Sequence, residues 1–519
     1  MATTRINLSS LDGSNGFRLD DRRYYSVGSS IGGVGDVNGD GFDDIAIGRS
    51  FDKYYEGSYV VFGKASGFDA SMDLLHLDGE DGFQINVNLN YSSVSRAGDI
   101  NGDGFNDLIV IEETRERNYG SVVINNAYVV FGKATGFGTN LSLSSLDGSN
   151  GFRLEGGTEH EFSGVSVGRA GDVNGDGFDD FIMGNYLEDS NGDNSGSSYV
   201  VFGKSSGFDA TMNLSGLDGS NGFRLDGDAG DFAGRSVGSI GDINGDGFDD
   251  VTISTNGANY VVFGKASGFD AAMNLSDLDG NSGFRLNREG GFRNVGDINN
   301  DGFDDLMITR SSASYVVFGK SSGFDAAMDL SKIDGSNGFV FINEGELTFN
   351  RAGDVNGDGF DDLIIGDRGA DSNGDNSGST YVMFGKASGF DAEIRLSDLD
   401  SSNSVRFDGE SPRDFAGFGS AAGDVNGDGF DDLMIGTSTR FNGNSFYVIF
   451  GRSDFTDGEA VDFPGTPGDD IFTGTKAAER FEGGDGNDRM IGRGGADWFD
   501  GGAGNDYIRI SDDTFQWID

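Results

Sequence analysis

The chain has no cysteine, three prolines and two histidines among its 519 residues. Without cysteine there is no disulfide framework, no thiol nucleophile and no thiolate-bound zinc. So few prolines beside 90 glycines exclude both collagen and a proline-rich linker. Basic residues are also scarce: 36 Lys and Arg stand against 87 Asp and Glu, a formal net charge of -51. Nucleic acids and anionic membranes are held by clustered basic charge, so neither is an expected partner. No apolar run reaches the ~18 residues of a membrane-spanning helix, so membrane insertion is not expected. The opening, MATTRINLSS, lacks the basic-then-apolar pattern of a cleaved leader, and export is expected by another route.

Of the two histidines, His76 sits in a connector where other repeats carry Ser10 or Ser145, and His160 lies in a polar loop. No nucleophile motif, glycine-rich phosphate cradle or His-containing metal site is recognisable, so no catalytic residue is assigned and the chain is read as a non-enzyme. What is abundant is aromatic and apolar: 44 Phe and 36% hydrophobic residues supply a core and argue against disorder.

A string close to DVNGDGFDD recurs seven times, starting at Asp36, Asp99, Asp172, Asp242, Asp297, Asp354 and Asp424. Each copy is followed by a short apolar run such as DDLIIG, then YVVFG, a connector like SGFDAAMNLSDLDG, and GFRL. Short runs rich in Val, Ile, Tyr and Phe, bounded by Gly, Asn and Asp, read as strands. Continuous apolarity predicts sheets buried on both faces. Four strands per repeat, seven times, predict an all-β, seven-bladed β-propeller: SVGRAGDV as inner strand A, DDLIIG as B, YVVFG as C and GFRL as outer strand D. The chain opens on a D-like segment, so Gly16–Leu19 is expected to close the last blade beside Tyr447–Gly451, with Val461–Phe463 as the alternative closing strand.

After Phe463 the glycines Gly465, Gly474, Gly483, Gly492 and Gly501 mark nine-residue units such as GGAGNDYIR. That period predicts a short parallel β-roll. The expected division is a propeller over 1–460, a roll over 461–510 and a tail over 511–519, with Ser511–Asp519 given no structure.

Within DVNGDGFDD, positions 1, 3, 5 and 9 offer oxygen side chains, and glycines at 4 and 6 allow positive φ. Such a turn suits a hard cation that takes 6–8 oxygens at ~2.3–2.6 Å, and calcium fits better than magnesium. The expected ligands in the first copy are Asp36, Asn38, Asp40 and Asp44, with the Phe42 carbonyl. The remaining copies supply Asp99, Asn101, Asp103, Phe105 and Asp107; Asp172, Asn174, Asp176, Phe178 and Asp180; and Asp242, Asn244, Asp246, Phe248 and Asp250. They continue with Asp297, Asn299, Asp301, Phe303 and Asp305; Asp354, Asn356, Asp358, Phe360 and Asp362; and Asp424, Asn426, Asp428, Phe430 and Asp432. Position 8, Asp43 in the first copy, is a weaker ligand candidate because the second copy has Asn106 there. In the fifth copy Asn300 replaces the glycine at position 4 without removing a ligand. An EF-hand would need Glu at position 12 between helices, whereas Ile47 stands there between strands. Seven bound Ca²⁺ would bring the formal charge from -51 to -37 and relieve the crowding of the loop carboxylates.

Motifs such as FAGRSVGSIGDINGDGFDDV resemble the FG-GAP repeats of integrin α propellers over about residues 20–451. The resemblance implies calcium loops between strands A and B of each blade. It departs at the GAP tripeptide, where this chain has Gly48-Arg49-Ser50, Gly184-Asn185-Tyr186 or Gly366-Asp367-Arg368, and no inserted adhesion domain is apparent. The tail is similar to the RTX nonapeptide repeats of proteins exported by type I secretion. That likeness implies calcium bound at Asp488, Asp497 and Asp506 and a secreted or cell-surface location.

Strand order puts the calcium loops and repetitive connectors on one face, and the variable B–C and D–A loops on the other. Ligand-binding residues commonly sit on variable loops of a rigid scaffold. The candidates there are Tyr24, Tyr25, Tyr54, Tyr55, Arg115, Arg117, Tyr119, Tyr186, Arg440 and Phe441. The leading reading is an extracellular calcium-binding recognition or adhesion protein whose partner is a protein or glycan. A carbohydrate-binding or carbohydrate-cleaving propeller and a structural matrix or coat component are the alternatives.

Overall fold

The computed structural model describes residues 4–20, 27–49, 57–87, 91–113, 125–134, 136–155, 165–286, 290–321, 323–343, 345–437, 445–456, 463–464, 468, 470–474, 480–482, 486–493, 498–501, 504, 506–511 and 514–518. Seven four-strand arrays take an antiparallel A–B–C–D order, as in Val165–Gly171, Asp180–Asn185, Ser197–Val201 and Gly222–Asp226 of the third blade, the first two arrays being joined into one sheet where Arg49 pairs with Ser92. The A strands of neighbouring blades touch one another around a closed ring. The expected seven-bladed propeller is therefore what forms.

The strand signals act locally for clear reasons. Strand B of the third blade, DFIMGN, is buried along its whole length because apolar layers cover both faces of the sheet. Those layers lie between blades: Ile182, Val200, Phe223 and Leu225 of the third blade pack with Val251, Ile253, Tyr260 and Val262 of the fourth. In every blade the A–B register shifts just before the acidic motif, as between Arg169 and Gly171. Such a bulge bends the strand and re-aims the loop that follows.

Ring closure follows the first expectation. Gly16–Asp20 pairs antiparallel with Ser445–Ile449 as strand D of the seventh blade. The alternative is overturned, because Phe463–Pro464 pairs instead with Arg480–Glu482 in the tail.

The blades have five strands, one more than expected. A strand of two or three residues from each of six connectors pairs parallel with strand D of the preceding blade, as Thr211–Asn213 does with Arg153–Glu155. The connector also lays its Phe on that strand: Phe208 stacks on Phe152 with centroids 5.1 Å apart, and Lys204 lies 4.8 Å over Phe208. Stacked Phe pairs of this kind recur at Phe17–Phe68, Phe83–Phe137, Phe223–Phe269, Phe284–Phe324 and Phe339–Phe390. The seventh connector is cut by the chain ends. Thr4–Asn7 supplies its strand against Val405–Asp408, and Phe455 supplies its ring against Phe407.

The tail forms two parallel ladders with an eighteen-residue repeat, Phe463–Pro464, Arg480–Glu482, Trp498–Asp500 on one side and Ile471–Thr473, Arg489–Ile491, Asp506–Ser511 on the other. Phe481, Met490 and Ile508 fill the space between them. This is the short parallel roll read from the nine-residue period. The residues left without structure include a strand, Thr514–Ile518, which pairs antiparallel with Asp506–Ser511 and covers that sheet's edge.

Candidate functional site

All seven acidic motifs fall between strands A and B, and their side chains take the same arrangement. In the first, Asp36 Oδ1 accepts from the N–H groups of Gly39 and Asp40, and Asp36 Oδ2 accepts from Gly41 N–H at 2.8 Å. Asn38 Oδ1 accepts from Asp40 N–H, and Asp40 Oδ1 from Phe42 N–H. These are Asx-type turns in which short polar side chains replace the missing ladder bonds. The side chains at positions 1, 3 and 5 thus each hold backbone N–H groups of one tight turn. Every copy shows the Gly41-type bond to the first Asp.

Position 9 lies beneath the loop. Asp44 is fully buried; its Oδ2 accepts from Val37 N–H at 2.9 Å and its Oδ1 from Gly63 N–H at 3.0 Å. Burial pushes its carboxyl up to about 8, with Asp40 and Asp36 adding to the rise and the two N–H donors opposing it. Asp107, Asp180, Asp305 and Asp432 are raised to the same degree, and Asp250 and Asp362 well above the usual range. Among the described residues no three His, Cys, Asp or Glu groups are drawn together as a metal cluster. The donor set is nonetheless all oxygen, with Asp36 and Asp40 near enough to raise the buried Asp44 carboxyl, and this chemistry fits a hard cation such as calcium. When bound, such a cation supplies the positive charge that the loop itself lacks.

Position 8, ranked low as a ligand, joins blades instead. Asp179 Oδ2 accepts from Asp99 N–H of the preceding loop at 2.9 Å, and Asp179 Oδ1 receives Arg169. Other position-8 acids likewise accept the position-1 N–H of the preceding loop, from Asp249 with Asp172 to Asp43 with Asp424. No spacing within the motif signals this, because the partner lies 80 residues away in the chain. Position 7 also bridges the seam, since a Cβ added at Gly175 would strike the Phe248 ring of the next loop.

In the tail, Asp488 and Asp506 are buried one above the other. Asp506 Oδ1 accepts from Asp488 N–H at 2.9 Å, and Asp488 Oδ1 from Asp470 N–H at 2.8 Å. Asp497 lies outside the described residues.

Of the residues expected on the opposite face, Tyr24, Tyr25, Tyr54, Tyr55, Arg115, Arg117, Tyr119, Arg440 and Phe441 lie outside the described residues. Tyr186 is described. It stands in the B–C loop of the third blade, 5.5 Å from the Arg235 guanidinium, which also lies 5.2 Å from Phe232, and the two rings are neighbours with centroids 6.4 Å apart. The sixth blade builds a counterpart that the sequence reading missed: Arg368 lies 4.3 Å over Phe418 and 5.8 Å from Phe415. The two B–C loops with the DSNGDN string brace these clusters. Asn191 Nδ2 donates to Gly227 O and Asn373 Nδ2 to Gly409 O, so the string closes loops through its own polar groups.

With this geometry in view, comparison with known proteins gives two repeat families. Residues 27–62, 164–201, 351–383 and 416–449 match the FG-GAP repeat, and residues 473–508 match the RTX calcium-binding nonapeptide repeat. The chain carries FG-GAP repeats. The four matched segments cover strands A to C of the first, third, sixth and seventh blades of the propeller. Integrin alpha-PS5 of Drosophila melanogaster is 31% identical over 162 residues, which is 28% of this chain and 16% of that protein. The chain thus spans about a sixth of that relative. Among solved structures, BBS1N in complex with ARL6DN is matched over 85% of this chain and 97% of that one, at 10% identity and a TM-score of 0.40. The V. cholerae biofilm matrix protein Bap1 is matched over 86% and 90%, at 11% identity and a TM-score of 0.25. No helix among the described residues is long and apolar enough to cross a membrane.

Proposed function

We propose that this protein is an extracellular, calcium-stabilised recognition or adhesion module. Its seven A–B loops hold about one Ca²⁺ each through positions 1, 3, 5 and 9 and the position-7 carbonyl. The RTX-like tail from residue 461 binds further calcium through Asp488, Asp497 and Asp506 and aids export by type I secretion. The B–C and D–A loops of the other face bind a protein or glycan.

The observation that carries the recognition reading is the paired Arg–aromatic clusters, Arg235 against the adjacent Tyr186 and Phe232 rings, and Arg368 over Phe415 and Phe418. Arg and aromatic side chains anchor interfaces because they offer large contact area together with directed polar groups. Here they sit on loops held by a rigid ring, with Arg235 exposed. Calcium suits the location: extracellular modules bind it at ~10⁻⁴–10⁻³ M, far above cytosolic free levels, so folding is completed outside the cell.

The test is a screen of immobilised matrix proteins and glycans against the full chain with millimolar calcium and with excess chelator. The expected result is a calcium-dependent ligand whose binding falls at least tenfold in the R235A/R368A variant at unchanged melting temperature, the loss of ~1.4 kcal/mol or more. Binding that is indifferent to both substitutions would overturn the assignment of this face.

A further inference from the structure

The seven calcium loops are bonded to one another around the axis. In each seam the main-chain N–H at position 8 donates to the position-1 carbonyl of the preceding loop, from Asp179 to Asp99 at 3.1 Å and from Asp43 back to Asp424 at 3.1 Å. In six seams the position-8 carboxylate returns the contact, accepting the position-1 N–H at 2.8 to 3.0 Å. In six, the position-7 ring also covers the position-4 glycine of the preceding loop.

We propose that these loops take up calcium as one coupled ring, each occupied loop raising the affinity of its neighbours; the inference rests on the calcium reading of the loops. Positions 7 and 9 of one loop are calcium donors in that reading, and position 8 lies between them. Binding therefore fixes the stretch whose side chains and amide hold position 1, the first donor, of the preceding loop. A neighbour that is already ordered loses less conformational freedom when it binds. Because the bonds run from Asp43 back to Asp424, the chain of contacts has no end. Nearest-neighbour units of this kind behave as a one-dimensional cooperative array. Repulsion between bound cations acts the other way, but salt at ~0.15 M screens it beyond about 8 Å.

The ring has a weak seam between the first and second loops. There Asn106 replaces the carboxylate, and its Oδ1 accepts from Arg96 Nε at 2.9 Å. The fifth loop departs differently: Asn300 takes the place of the covered glycine and donates to Gly359 O of the next loop at 2.8 Å.

The experiment is a calcium titration of the chelated full-length protein by calorimetry at ~0.15 M salt. The wild type is expected to give a transition steeper than independent sites, with late cations bound at least about fivefold more tightly than the first. The D249A/D304A variant removes two carboxylate links and leaves every expected loop ligand, so it should keep the stoichiometry and lose steepness. The N106D variant restores the repeat's own residue at the weak seam and should sharpen the transition. The tail's contribution is common to all three proteins and cancels in the comparison. A wild-type isotherm of independent sites, or N106D no steeper than wild type, would overturn the coupling while leaving calcium binding intact. Absence of loop binding at millimolar calcium is a separate result, and it would overturn the calcium reading itself.

Discussion

Gly16 lies in register opposite Ile449, so residues near the start of the chain form the outer strand of the last blade. Phe17 and Leu19 of that strand are fully buried, and Phe17 stacks on Phe68 with centroids 4.6 Å apart. Removing residues 1–20 takes away this strand and also Thr4–Asn7 on the sixth blade, leaving two exposed sheet edges. The expected outcome is a sharp fall in melting temperature. A milder change, F17A, should cost about 3–5 kcal/mol in denaturant unfolding, the usual loss for a buried Phe. An unchanged melt for the truncated protein would mean the ring is closed some other way.

The split connector makes a second prediction. Phe455 is almost fully buried and meets Phe407 edge-on, at 5.9 Å and 89°. Arg452 lies over Phe455 at 4.9 Å, as Lys204 does over Phe208 in an uncut connector. If the two chain ends rebuild one connector, F455A should destabilise about as much as F208A, by ~3–5 kcal/mol each. Equilibrium unfolding of both variants decides it: a loss for F455A under about 1 kcal/mol, with F208A costly, would show that the cut connector does not hold the sixth blade.

The strands, their order and the loop positions were legible because seven near-copies repeat the same local signals: apolar runs for B and C, and glycine-bounded acids between A and B. The fifth strand was not. Thr211–Asn213 is three residues long, exposed at both ends, and pairs with a strand of the preceding blade. Nothing within it marks that partner. Position 8 shows the same limit. Asn106 in one copy makes position 8 the weaker ligand candidate, whereas the carboxylates at this position reach into the neighbouring loop. The stacked Phe pairs left a signal that could have been used, a Lys four residues before each connector Phe, as in Lys204 and Phe208. The ligand face was least legible, because its loops differ from blade to blade and Arg368 belongs to no shared motif.

Two glycines of one loop should respond differently to the same substitution. Gly175 has φ +72° and a Cβ there would strike the Phe248 ring. Gly177 has φ +88° but nothing within 4 Å of an added Cβ. Both carry the backbone cost of ~1–2 kcal/mol for an L-residue in the left-handed region. Only G175A adds overpacking, typically about another 1–3 kcal/mol. Thermal unfolding of the pair should therefore rank G175A below G177A, and the reverse order would place the Phe248 contact elsewhere.

The buried position-9 acids set how stability without calcium depends on pH. Burial raises Asp44, Asp107, Asp180, Asp305 and Asp432 to about 8, against an unfolded value near 3.9. Between about pH 4 and 8 the folded protein therefore holds protons that the unfolded chain has released. Stability then falls as pH rises through that window. Calcium reverses the balance, because it binds the carboxylate and so competes with the proton. Chelated protein should melt at a higher temperature at pH 5 than at pH 8, and millimolar calcium should raise the melting temperature more at pH 8. The matched substitution D180N removes one such titration, so the chelated variant should show a shallower decline across the window. Equal calcium shifts at the two pH values would separate these carboxyls from the cation and assign them a purely structural role beneath the loops.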